Sequence, residues 1–313
     1  MRGLRAVDAG ARVMREEYAK IKDRFGADCS FLQPASAHTT YRAGGPIEAL
    51  VKPASREDLA WLAAFCLAQK IPFIALGAGS NVLISDKGLK GVAALTARFD
   101  ELDISGNIVT AGAGALWDNV VKASVEAGLA GLEKTSGIPG TAGGAVFMNA
   151  GAFGQEAFDN LESFEVMDRS GEVRTLKRSN VTYGYRRVEG LAGRVVLSAV
   201  FRLRPGDKAA LAADRACVLK SRAGKQPLDL PSAGSVFKRP AGDFASRLID
   251  VSGFKGLRVG DAQVSEKHAG FIVNLGKASA SDIYTLILKV RAGVKAGTGV
   301  DLELEQVLLG EFD

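Results

Sequence analysis

The density of glycine between residues 131 and 154 constrains the fold more than any other feature of the sequence. Seven of these 24 residues are glycines, and apolar segments typical of helices and strands stand on both sides. Glycine allows positive φ angles and lets the backbone approach a neighbouring group without a Cβ in the way. We therefore expect this segment to hold its backbone close to a ligand or in a series of tight turns.

Another glycine turn, Gly77–Asn81, lies between two predicted strands. It is not a Walker loop, which needs Lys followed by Ser or Thr, and a dinucleotide fingerprint needs a glycine where Val82 stands and then a helix. Two interpretations remain for this turn alone: an anion site built from backbone N–H groups, or a plain tight turn. Two glycine loops in the same half of the chain favour two walls around one long ligand, and a flavin dinucleotide has that shape.

The composition indicates a globular protein and argues against a membrane, exported or nucleic-acid-binding protein. The 313 residues are 47% hydrophobic, and no run approaches the roughly 20 apolar residues of a membrane helix. The basic N-terminus has no apolar block behind it, so we expect a cytoplasmic protein without membrane insertion. The net charge of +5 is spread thinly, without a basic run, so we expect no nucleic-acid partner.

The three cysteines are too widely spaced for a zinc site and include no CxxC pair. Their odd number also argues against a disulfide framework. We therefore predict no metal site and interpret each cysteine as a small core residue: Cys29, Cys66 and Cys217.

Hydrophobic periodicity and turn signals divide the chain into five predicted segments. Residues 1–35 form an N-terminal helical extension with Val13, Met14, Ile21 and Phe25 on its apolar face. Residues 36–97 and 98–205 form two α/β units, 206–299 a third, and 300–313 a closing strand. The main predicted helices cover 116–127, 208–223 and 281–295, and the main predicted strands cover 49–51, 71–76, 82–85, 164–168, 173–176, 195–203, 270–275 and 300–309.

Four long motifs resemble one family. They are LGAGSNVLIS at 76–85, GLEKTSGIPGTAGGAVFMNAGAFGQE at 131–156, KQPLDLPSAGSVFKRP at 225–240 and GLRVGDAQVSEKHAGFIVN at 256–274. Together they make the chain similar to the UDP-N-acetylenolpyruvoylglucosamine reductases, the flavoenzymes of bacterial peptidoglycan precursor synthesis. The resemblance covers nearly everything after about residue 36. The short segment between Tyr185 and Val200 resembles the shorter class of the family, which lacks the tyrosine loop that folds over the substrate.

The resemblance implies an α+β protein with a vanillyl-alcohol-oxidase-type FAD-binding fold in two α/β subdomains, plus a C-terminal α/β substrate-binding domain. It implies noncovalent FAD, NADPH as hydride donor, and reduction of UDP-N-acetylglucosamine enolpyruvate to UDP-N-acetylmuramate. We expect a monomer or a weak oligomer. The implied FAD-binding residues are Arg42, Gly45, Gly77, Ala78, Gly79, Ser80, Asn81, Gly140, Thr141, Gly143 and Gly144.

The resemblance also implies three catalytic residues: Arg186 against the developing enediolate, Ser235 as proton donor, and Glu305 holding the enol form. Without it, Arg186 would be interpreted as a surface arginine and Ser235 as a turn serine. Glu303 and Glu305 share a strand face, so spacing alone does not choose between them, and we prefer Glu305 for its distance from Gly310. The implied substrate-binding residues are Tyr185, Lys225, which would bind phosphates, and Arg239.

The chain departs from the family pattern at two positions. Gln306 stands where the family usually has valine, and Arg239 replaces the usual asparagine. Two other functions stay open: a different FAD-dependent hydroxy-acid or sugar oxidoreductase of the same fold, and a noncatalytic nucleotide-sugar or anion-binding protein that has lost its flavin. A colourless purified protein would favour the last.

Overall fold

The computed structural model describes residues 16–313, so Val13 and Met14 of the predicted N-terminal helix lie outside the described residues. Seven α-helices occur within residues 16–313, and three of them lie within three residues of the predicted bounds 116–127, 208–223 and 281–295. They are α1 (Glu16–Phe25), α2 (Arg56–Ala68), α3 (Trp117–Glu126), α4 (Ala142–Phe147), α5 (Lys208–Lys225), α6 (Ala245–Val251) and α7 (Ala280–Thr298).

The first unit is a four-stranded sheet in the order β1-β2-β5-β3, in which β1 is antiparallel and the others are parallel. Helices α1 and α2 bury their apolar faces against it in one core cluster. Ser55 begins α2 by accepting a hydrogen bond from the Asp58 N–H. The strands are β1 (Cys29–Pro34), β2 (Pro46–Val51), β3 (Phe73–Leu76), β4 (Val82–Ile84) and β5 (Leu89–Leu95).

The second unit is a five-stranded antiparallel sheet in the order β12-β11-β15-β7-β6. Helices α3 and α4 pack on it around the fully buried Trp117 and Phe201. Its strands and the short pairs around them are β6 (Leu102–Ser105), β7 (Ile108–Gly112), β8 (Leu129–Ala130), β9 (Gly151–Ala152), β10 (Gln155–Glu156), β11 (Leu161–Met167), β12 (Val173–Lys177), β13 (Tyr183–Gly184), β14 (Arg187–Val188), β15 (Val195–Arg202) and β16 (Arg204–Pro205).

The third unit packs α6 and α7 against a small antiparallel sheet in the order β17-β18-β19. Its core includes Tyr41 and Leu83 of the first unit, so the two units share buried apolar surface. The remaining strands are β17 (Arg258–Val259), β18 (Ala262–Val264), β19 (Ile272–Asn274) and β20 (Val307–Leu309).

Three sequence-based expectations are wrong in detail. The segment 1–35 is not only helical, because β1 pairs with β2 and belongs to the first sheet. The predicted strand 300–309 is shorter, because only β20 is regular strand and it joins β4 of the first unit in parallel. Cys29 and Cys66 are buried, but Cys217 is exposed because its position on α5 faces away from the core.

No helix within residues 16–313 combines the length and the apolar composition needed to cross a membrane.

Candidate active site

Both glycine loops line one cavity of about 570 Å³. The first glycine loop is the turn Gly77–Asn81, which connects β3 to β4. The second glycine loop is the segment 131–154, which runs into α4. The cavity also reaches the third unit, because Ser235, Phe271 and Glu305 contribute to its wall. The two loops that the sequence singled out are therefore two walls of one cavity.

The loops contact each other directly. The Ser80 hydroxyl donates a hydrogen bond to the Pro139 carbonyl at 3.1 Å. A Cβ at Gly77 would lie 2.6 Å from the Thr141 Oγ1, so only glycine allows this approach. Thr141 in turn begins α4 by accepting a hydrogen bond from the Gly144 N–H.

Gly79 and Gly144 differ in what surrounds them, although the sequence suggested the same role for both. A Cβ at Gly79 would lie 2.2 Å from the His38 carbonyl oxygen, and its φ is +63°. Packing inside the protein therefore requires glycine at position 79. A Cβ at Gly144 would meet nothing closer than the Thr141 Oγ1 at 3.7 Å, so the space beside it belongs to the cavity.

Arg186 lines the cavity with a side chain only 15% exposed. Its Nε donates to the Glu305 Oε1 at 2.7 Å, its Nη2 to the Gly151 carbonyl at 2.7 Å and its Nη1 to the Asn149 carbonyl at 3.2 Å. Three of its five N–H donors are thus used by the described residues, and two remain. Arg186 also has a φ of +52°, an uncommon conformation that occurs often at functional sites.

The structure distinguishes the two glutamates that spacing could not. The Glu305 side chain is 13% exposed and pairs with Arg186, whereas the Glu303 side chain is 72% exposed and pairs with Lys238. The Glu305 peptide is fixed on both sides: its N–H donates to the Val236 carbonyl, and its carbonyl accepts from the Asn81 side chain. The first glycine loop therefore holds the segment that carries Glu305.

Ser235 lies on the cavity wall in a short antiparallel bridge to Phe271. Its hydroxyl has no hydrogen-bond partner among residues 16–313. Gly234, just before it, has a φ of +73°, which favours glycine at this turn.

Gln306, one of the departures from the family pattern, supports that turn. It is 4% exposed, and its Nε2 donates to the Ala233 carbonyl at 3.0 Å. Its Oε1 accepts from the Tyr41 hydroxyl at 3.0 Å. Since buried polar groups need partners, Gln306 and Tyr41 satisfy each other and tie the first unit to the serine turn.

Two predicted substrate-binding residues lie beside the cavity wall. The Tyr185 hydroxyl donates to the Glu305 Oε2 at 3.4 Å and accepts from the Arg239 N–H at 3.4 Å. Partial burial and the Glu305 carboxylate both raise the pKa of Tyr185, so its phenol stays protonated near neutral pH.

Three other predicted binding residues do not line the cavity. Arg42 is exposed at a turn with φ +53°, and Lys225 is exposed at the end of α5. A Cβ at Gly45 would lie 2.0 Å from the Asp86 carbonyl oxygen, so packing accounts for this glycine. The remaining predicted cofactor residues all line the cavity: Gly77, Ala78, Gly79, Ser80, Asn81, Gly140, Thr141, Gly143 and Gly144.

Sequence reasoning missed Asn149, which organises the wall behind Arg186. Asn149 is fully buried with φ +42°, and its side chain donates to Glu156 and to the Gly184 carbonyl and accepts from the Phe158 N–H. The sequence offered only a weak signal, an asparagine within the glycine-rich segment, because Asn tolerates the left-handed region better than most residues.

Arg222 was missed as well. It lines the cavity at 7% exposure, and its position on the buried face of α5 gave no sequence signal for this. Within residues 16–313, no three His, Cys, Asp or Glu side chains cluster in a way that could hold a metal ion.

Comparisons with known proteins agree with this geometry. Residues 226–309 match the C-terminal domain of UDP-N-acetylenolpyruvoylglucosamine reductase, and residues 47–177 match an FAD binding domain. A UDP-N-acetylenolpyruvoylglucosamine reductase of Clostridium beijerinckii is 43% identical over 88% of this chain and 91% of its own. The UDP-N-acetylenolpyruvoylglucosamine reductase of Streptococcus pneumoniae (strain JJA) is 39% identical over 95% of this chain and 99% of its own.

A solved structure is similar over nearly the same extent. The crystal structure of the UDP-N-acetylenolpyruvylglucosamine reductase from Thermus caldophilus has a TM-score of 0.78 and 36% identity, covering 89% of this chain and 98% of that one. These matches confirm the predicted fold class and the resemblance on which it was based.

Proposed function

The chain belongs to the UDP-N-acetylenolpyruvoylglucosamine reductase family, and from this premise we propose that it reduces UDP-N-acetylglucosamine enolpyruvate to UDP-N-acetylmuramate. NADPH is the proposed hydride donor and noncovalent FAD the proposed carrier. One observation carries the proposal: Arg186, Ser235 and Glu305 come from separate segments and line the same cavity as both glycine loops. We also propose a cytoplasmic location, since NADPH and nucleotide sugars are cytoplasmic metabolites.

The size and lining of the cavity support binding of a flavin dinucleotide. Its volume of about 570 Å³ lies within the range of roughly 300–1,000 Å³ typical of ligand sites. The match to an FAD binding domain spans both glycine loops, and the open space beside Gly144 would receive the cofactor. Bound FAD would carry hydride from NADPH to the enolpyruvyl alkene.

Arg186 is suited to stabilise the charge that develops during this reduction. Hydride addition to the terminal alkene carbon leaves negative charge on the neighbouring carbon and its carboxylate. The guanidinium is held by Glu305 and two backbone carbonyls, so its remaining donors are fixed before substrate arrives. A pre-organised planar cation of this kind stabilises an enediolate without rearranging during the step.

Ser235 is suited to supply the proton. A serine hydroxyl is a weak acid in water, but a carbanionic carbon is a strong base, so transfer becomes favourable once water is excluded. The Ser235 O–H bond would break, the proton would bond to the carbon next to the carboxylate, and solvent would later return a proton to the oxygen. The free hydroxyl on the cavity wall supports this role.

Glu305 acts on the reaction through Arg186. Its carboxylate accepts from the guanidinium Nε at 2.7 Å and from the Tyr185 hydroxyl at 3.4 Å. This pairing fixes the plane of the guanidinium. We propose that Glu305 positions Arg186 and so helps hold the enol form of the substrate.

A substrate comparison tests the proposed function. We expect NADPH oxidation to depend on the enolpyruvyl nucleotide sugar and to yield UDP-N-acetylmuramate. A different FAD-dependent oxidoreductase of this fold would instead oxidise a hydroxy acid or sugar and ignore the enolpyruvyl compound. A colourless protein that binds the nucleotide sugar without turnover would support the noncatalytic alternative.

The glycine loops give a cofactor test. We expect about one FAD per chain in the purified protein, released on acid denaturation because no motif marks covalent attachment. Gly144→Val should fold but lose most of its flavin, because the new side chain would occupy the space beside α4. Gly224→Val is the matched control, because Gly224 is also in a helix and has open space beside it, but it does not line the cavity. Equal flavin content in both variants would contradict the placement of FAD.

A further inference from the structure

Gln306 lies outside the cavity wall, although its neighbours Glu305 and Val307 both line the cavity. Those neighbours fix its backbone: the Glu305 N–H donates to the Val236 carbonyl and the Val307 N–H donates to the Asn81 carbonyl, both at 2.9 Å. The Gln306 side chain is 4% exposed and starts from this fixed backbone. Any effect of Gln306 on the reaction must therefore pass through another residue.

The chain is restrained differently on the two sides of Ser235. After Ser235 it is held by backbone pairing, since the Val236 N–H donates to the Gly270 carbonyl at 2.9 Å. Before Ser235 stands Gly234, which has a φ of +73° and open space beside its Cα. Glycine has the least restricted backbone of any residue. The direction of the Ser235 side chain therefore depends on what holds residues 231–235, the serine turn.

Three buried side chains restrain the serine turn through a closed ring of hydrogen bonds. The Gln306 Nε2 donates to the Ala233 carbonyl, and the Gln306 Oε1 accepts from the Tyr41 hydroxyl, both at 3.0 Å. The Tyr41 carbonyl accepts from the Asn274 side chain, and the Asn274 N–H donates to the Pro231 carbonyl, both at 2.9 Å. The ring thus begins and ends on the serine turn, two residues apart.

The orientation of the Gln306 amide follows from its partners. The Ala233 carbonyl can only accept hydrogen bonds, so the Nε2 faces it and the Oε1 faces Tyr41. Burial raises the pKa of Tyr41 above its usual value, so its hydroxyl stays protonated and donates. Tyr41, Gln306 and Asn274 are each at most 4% exposed. Removing one partner would therefore leave another buried group unsatisfied, which is costly.

We propose that Gln306 is a positioning residue for the proton transfer: through this ring it fixes the serine turn and so presents the Ser235 hydroxyl to the substrate in one orientation. The proposal rests on the proposed function for the role of Ser235 as proton donor. Valine, which the family usually has at this position, can make neither of the two side-chain hydrogen bonds. The support is therefore a property of this chain's own Gln306 and Tyr41.

Gln306→Met tests the proposal, because methionine has a similar length and lacks the amide. We expect reoxidation of the flavin by the enolpyruvyl substrate to slow by about 10-fold, less than the roughly 10²-fold cost of a 1 Å misplacement. Reduction of the flavin by NADPH should not change. Gln263→Met is the matched control, because the Gln263 Nε2 also donates to a backbone carbonyl, that of Gly256, and neither residue lines the cavity.

A cycle with Ser235→Ala shows whether Gln306 acts through Ser235. If it does, adding Gln306→Met to Ser235→Ala causes no further loss of reoxidation rate, because the group that Gln306 positions is gone. An independent defect would instead multiply the two losses.

A cycle with Tyr41→Phe separates rate from stability. Gln306→Met leaves the Tyr41 hydroxyl buried without its partner, and Tyr41→Phe removes that hydroxyl. The double variant should therefore melt at a higher temperature than Gln306→Met alone, while its reoxidation stays slow. A rate that recovers together with the melting temperature would show that Gln306 acts only through stability.

Hydrogen exchange gives a readout that needs no turnover. The Val236 amide should exchange faster in Gln306→Met than in wild type or in Gln263→Met, because the turn before it has lost a support. Unchanged exchange, or reoxidation within about twofold of the Gln263→Met control, would overturn the proposal, and so would multiplied losses with Ser235→Ala. A wild type that does not reduce the enolpyruvyl substrate would refute the proposed function, and exchange would still decide whether Gln306 holds the serine turn.

Discussion

Ser235→Ala is expected to separate the two half-reactions. Reduction of the flavin by NADPH needs no proton from Ser235, whereas reduction of the alkene is complete only when the neighbouring carbon is protonated. General acid catalysis is typically worth about 10²- to 10⁴-fold in rate. Stopped-flow absorbance should therefore show near-normal flavin bleaching by NADPH and a loss of at least that order in reoxidation by the enolpyruvyl substrate.

Two further variants test whether this loss comes from the Ser235 hydroxyl. Ser235→Cys keeps an acidic proton and should recover part of the rate. Ser232→Ala changes a serine of the same turn that does not line the cavity, so both half-reactions should stay near wild type. Near-normal reoxidation in Ser235→Ala would rule out the proton-donor role and leave solvent or another side chain as the acid.

Arg186→Lys is expected to produce the second large effect. Lysine keeps the positive charge but cannot reproduce the three hydrogen bonds that fix the guanidinium or its planar fork. Loss of a pre-organised donor to a developing oxyanion costs roughly 10²- to 10³-fold in rate. Reoxidation by substrate should slow by that order while flavin reduction changes little.

Arg187→Lys is the matched control, since the Arg187 side chain is 70% exposed and the Arg186 side chain 15%. A companion pair tests the glutamates: Glu305→Gln should slow reoxidation, and the solvent-exposed Glu303→Gln should not. Equal slowing of both half-reactions in Arg186→Lys would indicate a general structural defect. A larger loss at Glu303 would overturn the assignment of Glu305.

The glycine loops were predictable because their constraint is local. A glycine density this high in an ordered segment requires close backbone approach, and the structure has it where Gly77 meets Thr141. The long motifs predicted the fold class through resemblance. Helices α3, α5 and α7 followed from periodicity, and their predicted bounds differ from the observed ones by at most three residues.

Features that depend on distant pairing were not predictable from local pattern. The choice between Glu303 and Glu305 depends on how that segment runs between Val236 and Asn81, which are far apart in sequence. The short β20 pairs with β4, which lies more than 200 residues earlier in the chain. The local sequence therefore could not predict where the strand within 300–309 begins.

The sequence also did not show which groups surround each residue of the site in the folded protein. Arg222 occupies a buried position of α5 that periodicity assigns to the core, and only the tertiary structure shows a cavity beside it. Gly45 was predicted as a cofactor residue, yet its close neighbour is the Asp86 backbone. At neither position did the sequence show which groups the residue contacts.

An anaerobic two-step titration tests the central claim most directly. Purified protein carrying its flavin is first reduced with one equivalent of NADPH, and the bleaching of the flavin absorbance is followed. UDP-N-acetylglucosamine enolpyruvate is then added without oxygen. We predict stoichiometric return of the oxidised flavin spectrum and formation of UDP-N-acetylmuramate, and a flavin that stays reduced in the presence of this substrate would contradict the proposed function.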